Sequence, residues 1–167
     1  MTAQTKIRSA APADGVVLSG IAVRSKEHWG YSTQFMAACR EELTVTADMI
    51  QSTGLEYYVA TQGESTIGFY ALASSSPQEW ELEALFVEPR VIGTGAGKTL
   101  FHHAAARARA SGASALEIQG DPHAEGFYLA MGATPVGFRE SQSIPGRQLP
   151  VYRLNLDVNG ECPGPHA

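Results

Sequence analysis

The stretch "ELEALFVEPRVIGTGAGKTLF", Glu81–Phe101, decides how this sequence is interpreted. Charged and bulky residues alternate from Glu79 to Val87, which is the period of a β-strand. A glycine-rich segment follows, and the alanine-rich run after it predicts a helix that ends at Ser111-Gly112. A strand that passes through glycines into a helix brings backbone N–H groups and the positive end of the helix together. The segment is therefore suited to binding an anion.

Two nucleotide-binding templates fail on the spacing of the glycines. A Walker A loop needs a glycine five positions before the glycine of Gly97-Lys98-Thr99, and that position holds Ile92. A dinucleotide turn that starts from Gly93 and Gly95 needs a third glycine where Lys98 stands. The alternative to any anion site is a glycine-rich turn that binds nothing.

The composition limits the classes of protein to consider. The chain has 167 residues, 44% of them apolar, which predicts one domain over 1–158 followed by a turn-rich tail over 159–167. A net charge of −5 without a basic run argues against broad nucleic-acid binding. We find no signal peptide and no apolar run that would span a membrane, and Cys39 and Cys162 form no metal-like pair. We therefore predict a cytoplasmic protein without a metal.

The rest of the chain predicts a mixed α/β architecture. Pro12 opens a helical pattern with Val17, Leu18 and Ile21 on one face, and Ser32 is a candidate N-cap for a second helix. Period-two runs of β-branched and aromatic residues predict strands before and after the glycine segment. The predicted order is β-α-α-β-β-β-α-β-α-β-β, which is an α/β (α+β mixed sheet) fold with helices on its faces.

Two motifs carry a resemblance to a known family. "ELEALFVEPRVIGTGAGKTLF" and "DPHAEGFYLAMGA", Asp121–Ala133, resemble the strand–loop–helix core and the following helix of the GNAT superfamily of acetyl-CoA-dependent N-acyltransferases. The register Ile92-x-x-Gly95-x-Gly97 places Leu100 at the leucine of that family's loop. Ile92 then stands where the family has Gln or Arg, and Asp121 stands where Asn is common.

The resemblance implies acetyl-CoA as the cosubstrate. Its pyrophosphate would lie on the glycine loop, mainly against backbone N–H groups, and its pantetheine arm would pair with the preceding strand like an extra strand. Asp121, at the start of the later helix, is a further candidate contact. The candidate cofactor residues on the loop and the strand are Leu85, Phe86, Val87, Ile92, Gly93, Thr94, Gly95, Ala96, Gly97 and Lys98.

The implied reaction is direct attack of a primary amine, most simply that of a small molecule, on the thioester. The amine must lose a proton, and Glu81 and Glu83, which alternation places on one face, are both candidate bases. The alternative is that both are solvent-facing strand charges. Tyr128 matches the family tyrosine that protonates the thiolate; as an alternative it is a core aromatic. A strand N–H near Phe86 or Val87 would hold the oxyanion.

The acceptor side is less defined by sequence. Trp29 and Tyr31 fall where the resemblance places the acceptor pocket, and Arg147, in the loop between the last two predicted strands, is a candidate contact for an acidic group of the acceptor. A homodimer is expected because such proteins are often dimers. Three alternatives remain open at this stage. One is a non-catalytic acyl-CoA-binding module, a second is a protein lysine or N-terminal acetyltransferase, and a third is acylation of charged tRNA. The negative net charge argues against the third.

Overall fold

A computed structural model describes residues 4–156, so the predicted tail and Cys162 lie outside the described part of the chain. The described residues contain five α-helices and seven strands in one sheet. The helices are α1 Gly15–Glu27, α2 Thr33–Cys39, α3 Ala47–Gln51, α4 Ala96–Ala110 and α5 Glu125–Ala130. The strands are β1 Thr5–Ser9, β2 Leu55–Gln62, β3 Ser65–Ser74, β4 Glu79–Val87, β5 Ala115–Gln119, β6 Thr134–Glu140 and β7 Gln148–Asn155.

The sheet separates where β4 and β5 meet. The strand order is β1-β2-β3-β4-β5-β7-β6, and every neighbouring pair is antiparallel except β4 and β5, which are parallel. These two strands pair over only four positions, from Glu79 opposite Ala115 to Leu82 opposite Ile118. Because β4 continues to Val87, the edge of its second half that faces β5 has no strand partner among the described residues. We call this segment, 83–87, the open edge.

A β-bulge in β4 lies at the start of the open edge. Ala71 of β3 is opposite Ala84 while Leu72 is opposite Leu82, so Glu83 is the extra residue. The bulge shifts the alternation of side chains: Leu82 and Leu85 pack on the α4 side of the sheet, and Ala84 packs on the α1 side. The chain therefore bends where it begins to line the space between β4 and β5.

A hydrophobic core lies on each face of the sheet, and the core on the α4 side includes Val91 and Leu100, which flank the glycine segment. On one face α4 buries Leu100, Phe101, Ala104 and Ala108, and on the other face α1 and α2 pack against β2 to β4. At Gly68 an added Cβ would lie 2.8 Å from the Phe86 carbonyl oxygen, so glycine allows β3 to pass this close to β4. Within residues 4–156 no helix is long and apolar enough to cross a membrane.

The predicted fold class is confirmed, with differences at the level of elements. The short α3 adds a helix to the predicted order, and 3₁₀ turns at Pro12–Asp14 and Pro122–Ala124 precede α1 and α5 where longer helices were expected. The prediction that Val17 shares one apolar face with Leu18 and Ile21 is wrong, because Val17 is 46% exposed while the other two are fully buried. The buried stripe of α1 runs through Leu18, Ile21, Ala22 and Ser25, and Val17 lies one helical step beside it.

Candidate active site

A cleft with a volume of about 410 Å³ lies between the open edge of β4, the glycine loop and α5. It brings together most of the candidate cofactor residues, with Glu83 and Tyr128 among its walls. Thr94 and Ala96 do not line it: the Thr94 hydroxyl donates to the Val91 carbonyl at 2.6 Å, and Ala96 is buried. The predicted cofactor residues that do line the cleft are Leu85, Phe86, Val87, Ile92, Gly93, Gly95, Gly97, Lys98 and Asp121.

The glycine loop has a backbone that ordinary side chains would disfavour. Gly93 and Gly95 have φ values of 85° and 97°, in the left-handed region. Gly95 is the N-cap of α4, and because it has no side chain it caps none of the first N–H groups of that helix. These N–H groups lie at the positive end of a 15-residue helix beside the cleft. The arrangement can hold an anion such as a pyrophosphate.

The backbone amides of the open edge alternate in direction. The N–H of Glu88 donates to the Ile67 carbonyl of β3 at 2.8 Å. Because successive amides of an extended strand point to opposite edges, the N–H of Phe86 also faces β3, while those of Val87 and Leu85 face the cleft. Of the two oxyanion donors expected from the sequence, this geometry favours Val87.

The two candidate bases have different surroundings. Arg139 donates to Glu81 at 3.0 Å and to Glu117 at 2.7 Å, so Glu81 is held in an ion pair, and it does not line the cleft. Glu83 lines the cleft, and its carboxylate has no hydrogen bond or ion pair within the described residues. Glu83 is exposed to solvent on one side, while the protein atoms around it partly desolvate its carboxyl and raise its pKa; the charge of Glu81 raises it further, and Arg139 opposes both. Of the two candidate bases, Glu83 is therefore the one that lines the cleft without an ion pair to the described residues.

Tyr128 has structural features of both alternatives that the sequence left open. Its ring is 6% exposed and packs between Phe101, Phe127 and Tyr152, as a core aromatic would. The same residue lines the cleft, and its hydroxyl makes no hydrogen bond to any residue of 4–156. Burial, and secondarily the neighbouring Tyr152, raises the pKa of Tyr128 far above its ordinary value. The phenol therefore stays protonated at neutral pH and can serve as a proton donor.

Asp121 lies at the centre of a polar network. Its carboxylate caps the turn before α5 through the His123 N–H at 2.9 Å, pairs with Lys26 at 3.1 Å and accepts from the Tyr31 hydroxyl at 2.8 Å. Burial opposes ionisation of this carboxyl, but the His123 N–H, the Lys26 charge and the Tyr31 hydroxyl together lower the pKa of Asp121 to about 2. Asp121 lines the cleft while its oxygens bind protein groups, so its contact with a cofactor stays a prediction.

The three predicted acceptor residues lie around this network. Trp29 lines the cleft and stacks on His123 with ring centroids 5.1 Å apart. Tyr31 and Arg147 do not line the cleft: Arg147 donates to the Tyr31 hydroxyl at 2.7 Å, and burial raises the pKa of Tyr31 to about 12. The guanidinium expected to meet an acidic acceptor is thus already engaged within the protein.

Sequence reasoning missed Lys26 and Glu42, which both line the cleft. Lys26 is 8% exposed and follows the buried Ala22 at a spacing of four, so its position on the apolar stripe of α1 was the available signal. Glu42 follows α2 without any pattern that marks it. Within the described residues, no group of three or more His, Cys, Asp or Glu side chains is arranged to hold a metal ion.

Comparisons with known proteins agree with this geometry. The model of the acetyltransferase (GNAT) domain family matches residues 18–143. Among solved structures, the PaiA N-acetyltransferase from Thermoplasma acidophilum in complex with coenzyme A has a TM-score of 0.70 at 19% identity, covering 91% of this chain and 99% of that one. The ribosomal-protein-S18-alanine N-acetyltransferase from Escherichia coli has a TM-score of 0.70 at 18% identity, covering 95% and 97%.

A third solved structure is an aminoglycoside 6'-N-acetyltransferase complexed with coenzyme A, with a TM-score of 0.71 at 15% identity over 93% of this chain and 99% of that one. No curated protein sequence matches the chain. At these identities the solved structures establish the fold, and they leave the acceptor open.

Proposed function

Because the chain belongs to the GNAT acetyltransferase family, we propose that it transfers an acetyl group from acetyl-CoA to a primary amine of a small acceptor by direct attack. The observation that carries the proposal is the cleft, which joins the glycine loop, the open edge of β4, Glu83 and Tyr128 in one space. Its volume of about 410 Å³ lies within the range of ligand sites, roughly 300–1,000 Å³. Each part of the cleft has a distinct task in this reaction.

In the proposed complex the backbone holds the cofactor. The N–H groups at the start of α4 bind the pyrophosphate, and the main chain of the open edge pairs with the pantetheine arm as a neighbouring strand would. Ile92 contributes no polar group, so the loop relies on main-chain contacts. Main-chain pairing explains why the open edge carries ordinary strand side chains.

The acceptor must lose a proton before it attacks. A simple amine has a pKa of about 10, so nearly all of it is protonated at neutral pH. Glu83 takes this proton directly or through a water molecule, and its raised pKa makes it a stronger base than an ordinary carboxylate. Glu81 is less suited to this task because Arg139 already occupies its carboxylate.

Bond formation and bond breaking take place at the thioester carbonyl. The amine nitrogen forms the C–N bond, and the carbonyl electrons move to the oxygen, which the N–H of Val87 stabilises. Collapse of the intermediate breaks the C–S bond, and Tyr128 donates its proton to the departing thiolate. The products are an N-acetylated acceptor and coenzyme A.

Contacts of the β6–β7 loop limit the size of the acceptor. Ser143, between β6 and β7, donates to Glu42 after α2, and Arg147 of the same loop donates to Tyr31 after α1. These contacts tie the β6–β7 loop across the acceptor side of the cleft, which supports a small molecule over the surface of a folded protein. The solved relatives act on both kinds of acceptor, so the likeness alone favours neither.

Calorimetry and an assay of thiol release test the proposal together. We expect acetyl-CoA to bind, and Gly95→Glu and Gly97→Glu to weaken that binding through bulk and like charge near the pyrophosphate. Gly54→Glu is the control, because Gly54 also has a positive φ, 89°, and does not line the cleft. Unchanged affinity in both loop variants would reject the site. Binding without thiol release on any amine would identify a non-catalytic acyl-CoA sensor.

A further inference from the structure

A second cavity adjoins the cleft on its acceptor side. Its volume is about 670 Å³, and it shares Glu42, Glu83 and Gln119 with the cleft. We call it the acceptor cavity. Its walls carry four carboxylates and one guanidinium, which belong to Glu41, Glu42, Glu81, Glu83 and Arg139. Because Glu83 lies at the junction, anything that presents an amine to the cleft from this side extends into a strongly acidic space.

The cations near the acceptor cavity do not neutralise it. Arg139 is shared between Glu81 inside the cavity and Glu117, which does not line it. Lys26, which lines the cleft, and Arg147 share the Asp121 carboxylate, at 3.1 Å and 3.7 Å, so this group leaves one positive charge against the four carboxylates of the cavity. Glu42 accepts a hydrogen bond from Ser143, which orients its carboxylate without removing the charge. Glu41 has no ion pair within the described residues. The cavity therefore keeps an excess of negative charge.

We propose that the acceptor is an amine with two or more positive charges. One amino group meets Glu83 and the thioester, while Glu41 and Glu42 bind an ammonium group that does not react. The inference rests on the proposed function, because it names the substrate class of that same site. The cavity and its junction with the cleft indicate where the acceptor binds, and the carboxylates indicate that it is positively charged.

Elementary electrostatics gives the preference its direction. An ammonium group that does not react has a pKa of about 10, so it stays charged at neutral pH and is attracted by each carboxylate of the cavity. An acceptor that carries its own carboxylate is repelled. The same negative charge raises the pKa of the reacting amine and makes its deprotonation harder. The cavity therefore needs a base at its junction with the cleft, which is the position of Glu83.

A matched series of amines tests the proposal by thiol release with acetyl-CoA. The probes are 1-aminobutane, 1,4-diaminobutane and spermidine, which carry one, two and three amino groups. We expect kcat/KM to rise by about tenfold or more from the monoamine to the triamine, since partly exposed ion pairs each contribute up to about fivefold. The rise should shrink in about 0.5 M salt, because screening weakens exposed charge pairs.

Variants distinguish the effect of the carboxylates in the acceptor cavity from the effect of the net charge of the protein. Glu41→Gln combined with Glu42→Gln should reduce the triamine-to-monoamine ratio of kcat/KM about tenfold. Glu64→Gln, on an exposed turn that does not line the cavity, should keep the wild-type ratio. A ratio near one in the wild-type protein, or one that the double variant leaves unchanged, would overturn the inference while the proposed function stood.

Calorimetric titration of spermidine into the protein–CoA complex provides a readout without turnover. Binding that is weaker in the double variant and unchanged in Glu64→Gln supports the acceptor cavity as a polyamine site. If that pattern accompanies no thiol release on any amine, the proposed function fails and the ligand class stands. Spermidine binding no tighter than 1-aminobutane contradicts the inference.

Discussion

At the scale of single residues, Tyr128 offers the sharpest test of mechanism. Replacement by Phe keeps the ring packing against Phe101 and Tyr152 and removes only the hydroxyl. General acid catalysis acts in the transition state, so we expect kcat to fall by about 10²-fold or more with nearly unchanged acetyl-CoA affinity. Steady-state kinetics and calorimetry check the two parts. A wild-type kcat in Tyr128→Phe would return Tyr128 to the role of a core aromatic.

The two glutamates predict different pH profiles. Glu83 must be ionised to accept a proton, and because its pKa is raised, kcat/KM should rise with pH through a value above that of an ordinary glutamate. Glu83→Gln should lose most rate near neutral pH, and the loss should shrink as the pH approaches about 10, where free amine needs no base. Glu81→Gln, which leaves Glu83 in place, serves as the comparison. A larger loss in Glu81→Gln would reverse the assignment.

Asp121 makes a prediction about stability. Its lowered pKa, about 2 against an ordinary value of 3.8, means that its ionised form stabilises the folded state above about pH 4. That stability is lost as the pH falls through about 2. Asp121→Asn should lower the free energy of unfolding at pH 7 by roughly 2 kcal/mol, since one pKa unit corresponds to about 1.36 kcal/mol. Urea unfolding at several pH values measures this.

The control for that measurement is Asp48→Asn, an exposed carboxylate at the start of α3. It should change the free energy of unfolding by less than about 0.5 kcal/mol. A difference between Asp121→Asn and the wild type that stays constant from pH 7 to pH 2 would contradict the linkage.

The sequence identified these residues as candidates but did not identify the residues that contact them. The alternation of β4 placed Glu81 and Glu83 on one strand, yet what separates them is Arg139, which lies 58 positions from Glu81. Asp121 was recognisable as an N-cap because its partner there is two residues away, whereas Lys26 and Tyr31 lie 95 and 90 positions away. Local patterns identify candidate groups, and the long-range contacts that shift their pKa values form only when the sheet has folded.

At the scale of elements, the glycines of the loop are not equivalent. Gly95 has φ 97°, where any side chain is strained, while Gly97 has an ordinary φ and an added Cβ would lie 3.5 Å from the Phe127 ring. We expect Gly95→Ala to destabilise the free protein by about 1–2 kcal/mol. Gly97→Ala should stabilise it by about 0.4–1 kcal/mol, because alanine restricts the unfolded chain. Thermal unfolding without cofactor compares them, and equal effects would contradict this geometry.

Elements with a clear period were predictable, and those without one were not. The alternation of β4 and the alanine-rich run of α4 each identified an element that the structure contains. Helix α3 has five residues, too few to show a helical period, so only its capping Thr46 signalled a turn. The bulge at Glu83 leaves no trace in the sequence, because it arises from the pairing of β4 with β3.

At the scale of the whole molecule, the candidate active site lies beside the short pairing of β4 with β5, which is the weakest junction in the sheet. Between β4 and β5 the sheet is held by four paired positions, and α4 with the core on its side of the sheet supplies the rest of the connection. At the far end of the sheet, the edge strand β6 exposes Val136 and Phe138 by 53% and 72%. The homodimer expected from the resemblance stays a prediction.

The junction predicts how the whole chain responds to its cosubstrate. A ligand that fills the cleft pairs with the open edge and contacts α4, so it joins the two parts of the sheet at their weakest connection. At a free concentration of about 100 times Kd, binding to the folded state alone contributes about 2.7 kcal/mol. For a chain of this size that corresponds to a rise in Tm of about 5–10 °C.

Hydrogen exchange locates the effect. The amides of Leu85, Val87 and Lys98 should exchange more slowly with acetyl-CoA, whereas Ile7 and Ala60, paired between β1 and β2 far from the cleft, should change little. Gly95→Glu, whose side chain occupies the pyrophosphate position, should abolish both the shift in Tm and the protection. Protection spread evenly over β1 to β4, or a Tm that rises equally in Gly95→Glu, would mean that the ligand stabilises the chain from somewhere other than the open edge.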